Sequence, residues 1–147
     1  MGDGMMSMTS RVCCDANLVV RFVTNPAAAN VAELWNRWLA SSIEVIAPSL
    51  FRFEVTNAIH LFGKASKLSL AGTSKLLDNA LGLGLFFVDH PEIHMRALSI
   101  SHELNLPAAY DAHYLALAES EGVELFTSDH RFFNVARHRF SWITLVE

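Results

Sequence analysis

Two apolar periodicities alternate along this chain, and their order predicts its architecture. Val12 to Val20 opens on a short apolar, strand-like run that Asp15 breaks. Asn25-Pro26 supplies a helix cap and first-turn pair. The helix that follows, to about Ala40, sets Val31, Leu34, Trp35, Trp38 and Leu39 on one face. Ile43 to Ala47 reads as a second strand. Pro48-Ser49 opens a helix to about Lys64, with Phe53, Asn57 and His60 at helical spacing. Leu70 to Leu81 is helical in pattern, although Gly72 weakens it. Leu85 to Val88 is strand-like, and Asp89-His90-Pro91 starts a helix that stops before Pro107. A clear helix spans Asp111 to Glu121 and ends at Gly122. Val123 to Phe126 is a strand, Arg131 to Val135 a helical turn, and Trp142 to Val146 a last strand. Such alternation predicts the α/β class: a three-layer α/β/α sandwich around a mostly parallel sheet. With no repeat, linker or low-complexity block, residues 11–147 are expected to form one domain. Met1 to Ser10 holds four Met without periodicity and is expected to be a flexible tail.

Composition narrows the class. The chain has 147 residues, of which 52% are hydrophobic and 18% charged, so it can bury a real core and is not intrinsically disordered. The apolar excess also hints at a subunit interface. The longest apolar-plus-glycine run, Ala80 to Val88, is far short of the ~20 residues that span a bilayer. The N-terminus lacks the basic and apolar regions of a secretory signal, so a cytoplasmic location with no membrane association is expected. Cys13 and Cys14 are adjacent, which excludes a disulfide framework and points to buried thiols.

The carboxylates carry the candidate chemistry. In an open parallel sheet, ligands bind at the carboxyl ends of the strands, near the point where strand order reverses. Asp15 ends the first strand and Asp129 follows a later one. Glu54 and Asp111 lie near helix starts, and helices can begin at that same edge. All four could converge on one rim. Converging carboxylates cannot all stay ionised alone, and a hard cation such as Mg²⁺ or Mn²⁺ resolves the conflict. Each acid has an ordinary alternative: a turn residue at Asp15, N-caps at Asp111 and Asp129, a solvated helix position at Glu54. Glu54 suits that alternative least, because it sits among Phe51, Phe53, Val55 and Ile59.

Four stretches, taken in order, resemble the PIN domain family, and most closely its VapC-like toxins. Val12-Cys13-Cys14-Asp15-Ala16-Asn17 is similar to the family's opening strand, and Glu54-Val55-Thr56-Asn57-Ala58-Ile59 to its second motif. Tyr110-Asp111-Ala112-His113-Tyr114-Leu115 resembles the third motif, the most specific match, and Leu125-Phe126-Thr127-Ser128-Asp129 the fourth. The resemblance implies a metal-dependent endoribonuclease. Asp15, Glu54, Asp111 and Asp129 would be its catalytic acids and hold one or two Mg²⁺ or Mn²⁺ ions. Water activated at the metal would attack the phosphate in line, leaving 5′-phosphate and 3′-hydroxyl ends. Asn17 and Thr127 would support the site by hydrogen bonds. A homodimer and a small antitoxin that blocks the groove are implied as partners.

Charge bears on the RNA substrate. The four acids account for the whole net charge of −4, so the rest of the chain is neutral. Arg131, Arg137 and Arg139 follow Asp129 and are the first candidates for phosphate contacts, with Arg52 and Lys64 behind them. Two other functions compete. One is a catalytically silent PIN-like binding module. The other is a Mg²⁺-dependent phosphoacceptor signalling domain, which would want an acidic neighbour for Asp15 and a late lysine, and the last lysine is Lys75. His90-Pro91-Glu92-Ile93-His94 has the wrong order for a zinc protease helix.

Overall fold

A computed structural model describes residues 10–147. It contains five strands and seven helices among those residues. The tail expected over Met1 to Ser10 lies outside the described residues except for Ser10, whose carbonyl accepts a hydrogen bond from the Glu44 N–H at 2.9 Å.

The first strand, β1 (Arg11–Cys14), gives way at once to helix α1 (Ala16–Thr24). Asp15 makes the switch. Its backbone is extended, and its carboxylate caps the helix by accepting the Leu18 N–H at 3.1 Å. The valines of this segment favour a strand by propensity. Capping and the burial of Ala16, Leu18 and Val19 on one helical face override that preference. The next helix, α2 (Ala29–Ala40), begins three residues later than Asn25-Pro26 suggests. Asn25 instead closes α1, donating its backbone N–H to the Arg21 carbonyl at 2.9 Å.

The remaining elements follow the apolar pattern closely. They are β2 (Glu44–Ala47), α3 (Leu50–Ala65), α4 (Leu70–Leu81), β3 (Phe86–Phe87), α5 (Ile93–Glu103), α6 (Tyr110–Glu121), β4 (Leu125–Thr127), α7 (His130–Ala136) and β5 (Ile143–Leu145). Ser69 caps α4 by accepting the Gly72 N–H, and α4 runs intact through that glycine. Gly63 is buried where α4's Thr73 leaves no room for a Cβ, so the two helices approach closely there. Gly122 closes α6 in the left-handed conformation, φ 66°, that glycine adopts freely.

All strand pairs are parallel, in the order β3-β2-β1-β4-β5. The chain moves outward from β1 to β3, then returns through α5 and α6 to lay β4 on the other side of β1. The order therefore reverses between β1 and β4. Neighbouring residues of a strand point to opposite faces, and Cys13 and Cys14 are both fully buried, as are Ile46 and Ala47. Both faces of the central strands are covered, which makes the expected three layers. Burial pushes both thiols well above their usual range, leaving them as inert core groups. On one side an aromatic chain runs from Phe22 through Trp35 and Trp38 to Phe126, with ring centres 5.0–5.5 Å apart. No helix among the described residues is long and apolar enough to cross a membrane.

Candidate functional site

The reversal of strand order fixes where a site forms. Asp15 follows β1, and Asp129 lies two residues beyond β4, on the adjoining strand end. Asp129 caps α7 by accepting the Phe132 N–H at 3.0 Å, as Asp15 caps α1. Each acid is thus held at one oxygen by a helix start. Thr127, fully buried at the end of β4, ties the two together. Its hydroxyl donates to Asp15 Oδ2 at 2.5 Å and accepts the Asp129 N–H at 3.0 Å. Asn17, in the first turn of α1, donates from Nδ2 to Asp129 Oδ2 at 3.4 Å.

Two helices bring the other acids. Glu54 lies in the second turn of α3 and Asp111 in the first turn of α6. Together with Asp15, Asn17 and Asn57 they line a cavity of about 200 Å³. Asp129 adjoins it through Asn17 and adds its charge to the field at both Asp15 and Asp111. The structure therefore gathers all four sequence-predicted acids at one sheet edge, with Asn17 and Thr127 among them.

The field there is strongly negative. Asp15, 2% exposed, has its carboxyl pushed up to about 7. Burial is the main cause. The bonds from Thr127 and the Leu18 N–H pull the other way, and Asp111 and Asp129 raise it further. Asp111 is pushed up to about 6, again by burial first, then by Glu54 and Asp129. Burial also raises Glu54, against the pull of Tyr114 and His113. Among the described residues none of the four acids forms an ion pair.

Tyr114 is a site residue that periodicity did not single out. It is fully buried on α6, three residues after Asp111, and its hydroxyl donates to Glu54 Oε1 at 2.7 Å. The signal was its phenol: a tyrosine inside an apolar helix needs a polar partner. Asn57, one helical turn after Glu54 and placed on its helix by the sequence pattern, also lines the cavity.

The donor set is entirely oxygen and unneutralised, which fits a hard divalent cation and not a soft one. No group of three His, Cys, Asp or Glu side chains among the described residues closes tightly on one point. Mg²⁺ needs no such cage, because it keeps several waters and takes only one or two carboxylates directly.

The arginines sit differently. Arg131 is exposed in the first turn of α7, beside Asp129 in sequence. Arg137 and Arg139 lie at or past the far end of that helix, ~10 Å along it by helical rise. Arg137 packs over the Phe133 ring, and Arg139 pairs with Glu103 at 3.7 Å. His90 and His94 do not act together: His90 meets Glu121, and His94 meets His113.

Comparison with known proteins agrees with the fold. No curated protein matches the chain. The crystal structure of PAE2754 from Pyrobaculum aerophilum has a similar fold, with a TM-score of 0.62 and 22% identity over 87% of each chain. The family pattern of the PIN domain matches residues 12–138, nearly the whole sheet with its helices, and on that match this chain belongs to the PIN domain family, whose members are typically metal-dependent nucleases acting on RNA.

Proposed function

We propose that this chain is a VapC-type endoribonuclease, in which Asp15, Glu54, Asp111 and Asp129 hold Mg²⁺ or Mn²⁺ and are the catalytic acids. The observation that carries the reading is the convergence of these four carboxylates without a cation, Asp15, Glu54 and Asp111 raised by burial, at the strand-order reversal of a PIN domain. A divalent ion bound there would supply Lewis-acid polarisation of the phosphoryl oxygen and a more acidic water.

The chain's own residues do the rest. Thr127 and the Leu18 N–H hold Asp15 in one rotamer, with the carboxylate facing the rim. Tyr114 keeps its proton, because burial and the nearby Glu54 raise it, and so it fixes one Glu54 oxygen and leaves the other free. Asn17 orients Asp129. A divalent ion held there would favour the ionised form of Asp15 and Asp111, which burial and mutual repulsion otherwise disfavour. Arg131 is the best-placed of the three predicted arginines to meet the RNA backbone, and Arg139 would first have to leave Glu103.

The toxin assignment rests on the order of the four motifs. It brings a cytoplasmic setting, a homodimer and a cognate antitoxin, testable by sedimentation and by suppression of cleavage with the product of a neighbouring gene. One other reading is a silent PIN-like binding module, since no three metal-binding side chains among the described residues close tightly on one point. Cleavage of a mixed single-stranded RNA pool, with Mn²⁺ or with a chelator, separates them. The proposed function expects cleavage that the chelator abolishes and that leaves 5′-phosphate ends. Absence of cleavage with Mn²⁺ would leave the silent module.

A further inference from the structure

Helix α3 presents a second hollow beside the acids. Arg52, Phe53, Thr56, Asn57 and His60 line a space of about 430 Å³, and Asn57 also lines the acidic cavity, so the two adjoin at that residue. The residues that pack α3 into the body are Phe51, Val55 and Ile59, all at most 1% exposed. Phe53 lies on the other side of the helix and is 75% exposed, so the fold has no use for its ring. Arg52 is held over the Phe87 ring, its guanidinium carbon 3.9 Å from the ring centre. The planar cation is thereby kept at the hollow's wall.

We propose that this hollow is a base-binding subsite for single-stranded RNA, in which Phe53 stacks on the nucleobase next to the phosphate held at the acids. The proposal rests on the ribonuclease reading above and deepens it. Three observations choose a base as occupant. The hollow adjoins the carboxylate cavity at Asn57, beside the place where the phosphodiester would lie. Asn57 and Arg52 offer hydrogen-bond donors around an aromatic face, which suits the edge of a base. The chain is also short of cations for backbone binding: it has 11 Lys and Arg, and Arg11, Arg96 and Arg139 are committed to carboxylates. Affinity must then come largely from stacking, which tolerates any base but needs it unpaired. A duplex hides its bases and would gain nothing from Phe53.

Binding of a labelled single-stranded oligoribonucleotide and of the matching duplex tests this, with Asp111→Asn as the background to prevent cleavage. In that background Phe53→Ala is expected to weaken single-strand binding about 5- to 150-fold. Phe53→Trp should restore it, and duplex binding should stay unchanged. An oligonucleotide lacking the one base should bind the Phe53→Ala protein and its background equally. Equal affinity of the alanine variant for the intact strand would overturn the subsite. So would a uniform loss on single strand and duplex alike. A change of oligomeric state on Phe53→Ala with RNA binding intact would make this face a protein interface instead, and overturn it too. If the unsubstituted protein cleaves RNA while Phe53→Ala changes nothing, the subsite fails alone. If the unsubstituted protein neither binds nor cleaves RNA, the ribonuclease reading fails with it. Phe53 is exposed, so its substitution leaves the core untouched.

Discussion

The two ends of α6 carry carboxylates in opposite circumstances. Near its end, Glu119 accepts two hydrogen bonds from Arg96, at 2.7 and 3.0 Å, and Glu121 meets Arg11 at 2.6 Å and His90 at 2.8 Å. Both are held below the usual range, Glu119 chiefly by the bond from Arg96 and Glu121 by that from His90. At its start, Asp111 has no cation and is pushed up to about 6. The helix dipole would predict the reverse, since it favours negative charge at the N-terminus, but it is worth only ~0.3–1 kcal/mol. Burial and the neighbouring acids outweigh it. One end of the helix is satisfied by the chain's own cations. The other keeps a repulsion that only something from outside can relieve.

The comparison breaks most directly on activity. Asp111→Asn should lower RNA cleavage more than about 100-fold, since metal-site supports alone are worth 10–100-fold. Glu119→Gln, twelve ångströms of helix away by rise (~1.5 Å per residue), should leave the rate unchanged. Similar losses in both variants, measured on one single-stranded substrate, would mean that the two ends do not differ in role.

The pH dependence of stability comes next. Asp15 and Asp111 have folded-state values above their ordinary one, so the folded protein binds more protons than the unfolded chain. Their contribution is fully present below about pH 4 and is lost as pH rises through about 6 and 7. Metal-free protein should therefore lose on the order of several kcal/mol from these two groups between pH 4 and pH 8. Thermal unfolding in chelator across that range would show it, and Asp111→Asn should flatten the slope. A slope of the opposite sign would deny the stored repulsion.

A smaller effect is expected at Thr127. Thr127→Val removes the donor to Asp15 and the acceptor for the Asp129 N–H. It should cost about 1–3 kcal/mol in denaturant unfolding and weaken Mn²⁺ binding by roughly 10–100-fold in calorimetry. The least is expected from Glu119→Gln in unfolding. That carboxylate is part-exposed, so its pairing with Arg96 is worth no more than about 1 kcal/mol.

The four acids were legible because each stands at a break in the apolar pattern, where a strand ends or a helix begins. Asp111 and Asp129 double as residues near helix starts, so one signal served both fold and site. Helix α1 was hidden because Val19 and Val20 fell in a run that opens as strand, and the Asp15 cap that decides the matter looks the same in sequence as a turn. Asn25-Pro26 misled for a related reason: a capping residue that could open a helix also closes one. Tyr114 was invisible to periodicity because its role depends on Glu54, sixty positions away. Arg137 and Arg139 looked close to Asp129 only along the chain, since α7 carries them away from it.

The central claim is that the start of α6 lacks a cation the protein is built to take. Thermal unfolding with and without millimolar Mn²⁺, for the unsubstituted protein and for Asp111→Asn, tests it most directly. At ten times Kd a ligand of the folded state adds about 1.4 kcal/mol, or roughly 3–6 °C for a domain of this size. That rise is expected in the unsubstituted protein and is lost in Asp111→Asn, which should itself melt higher than the unsubstituted protein in chelator. An equal rise in both proteins, or a lower melting temperature for Asp111→Asn in chelator, would contradict the central claim.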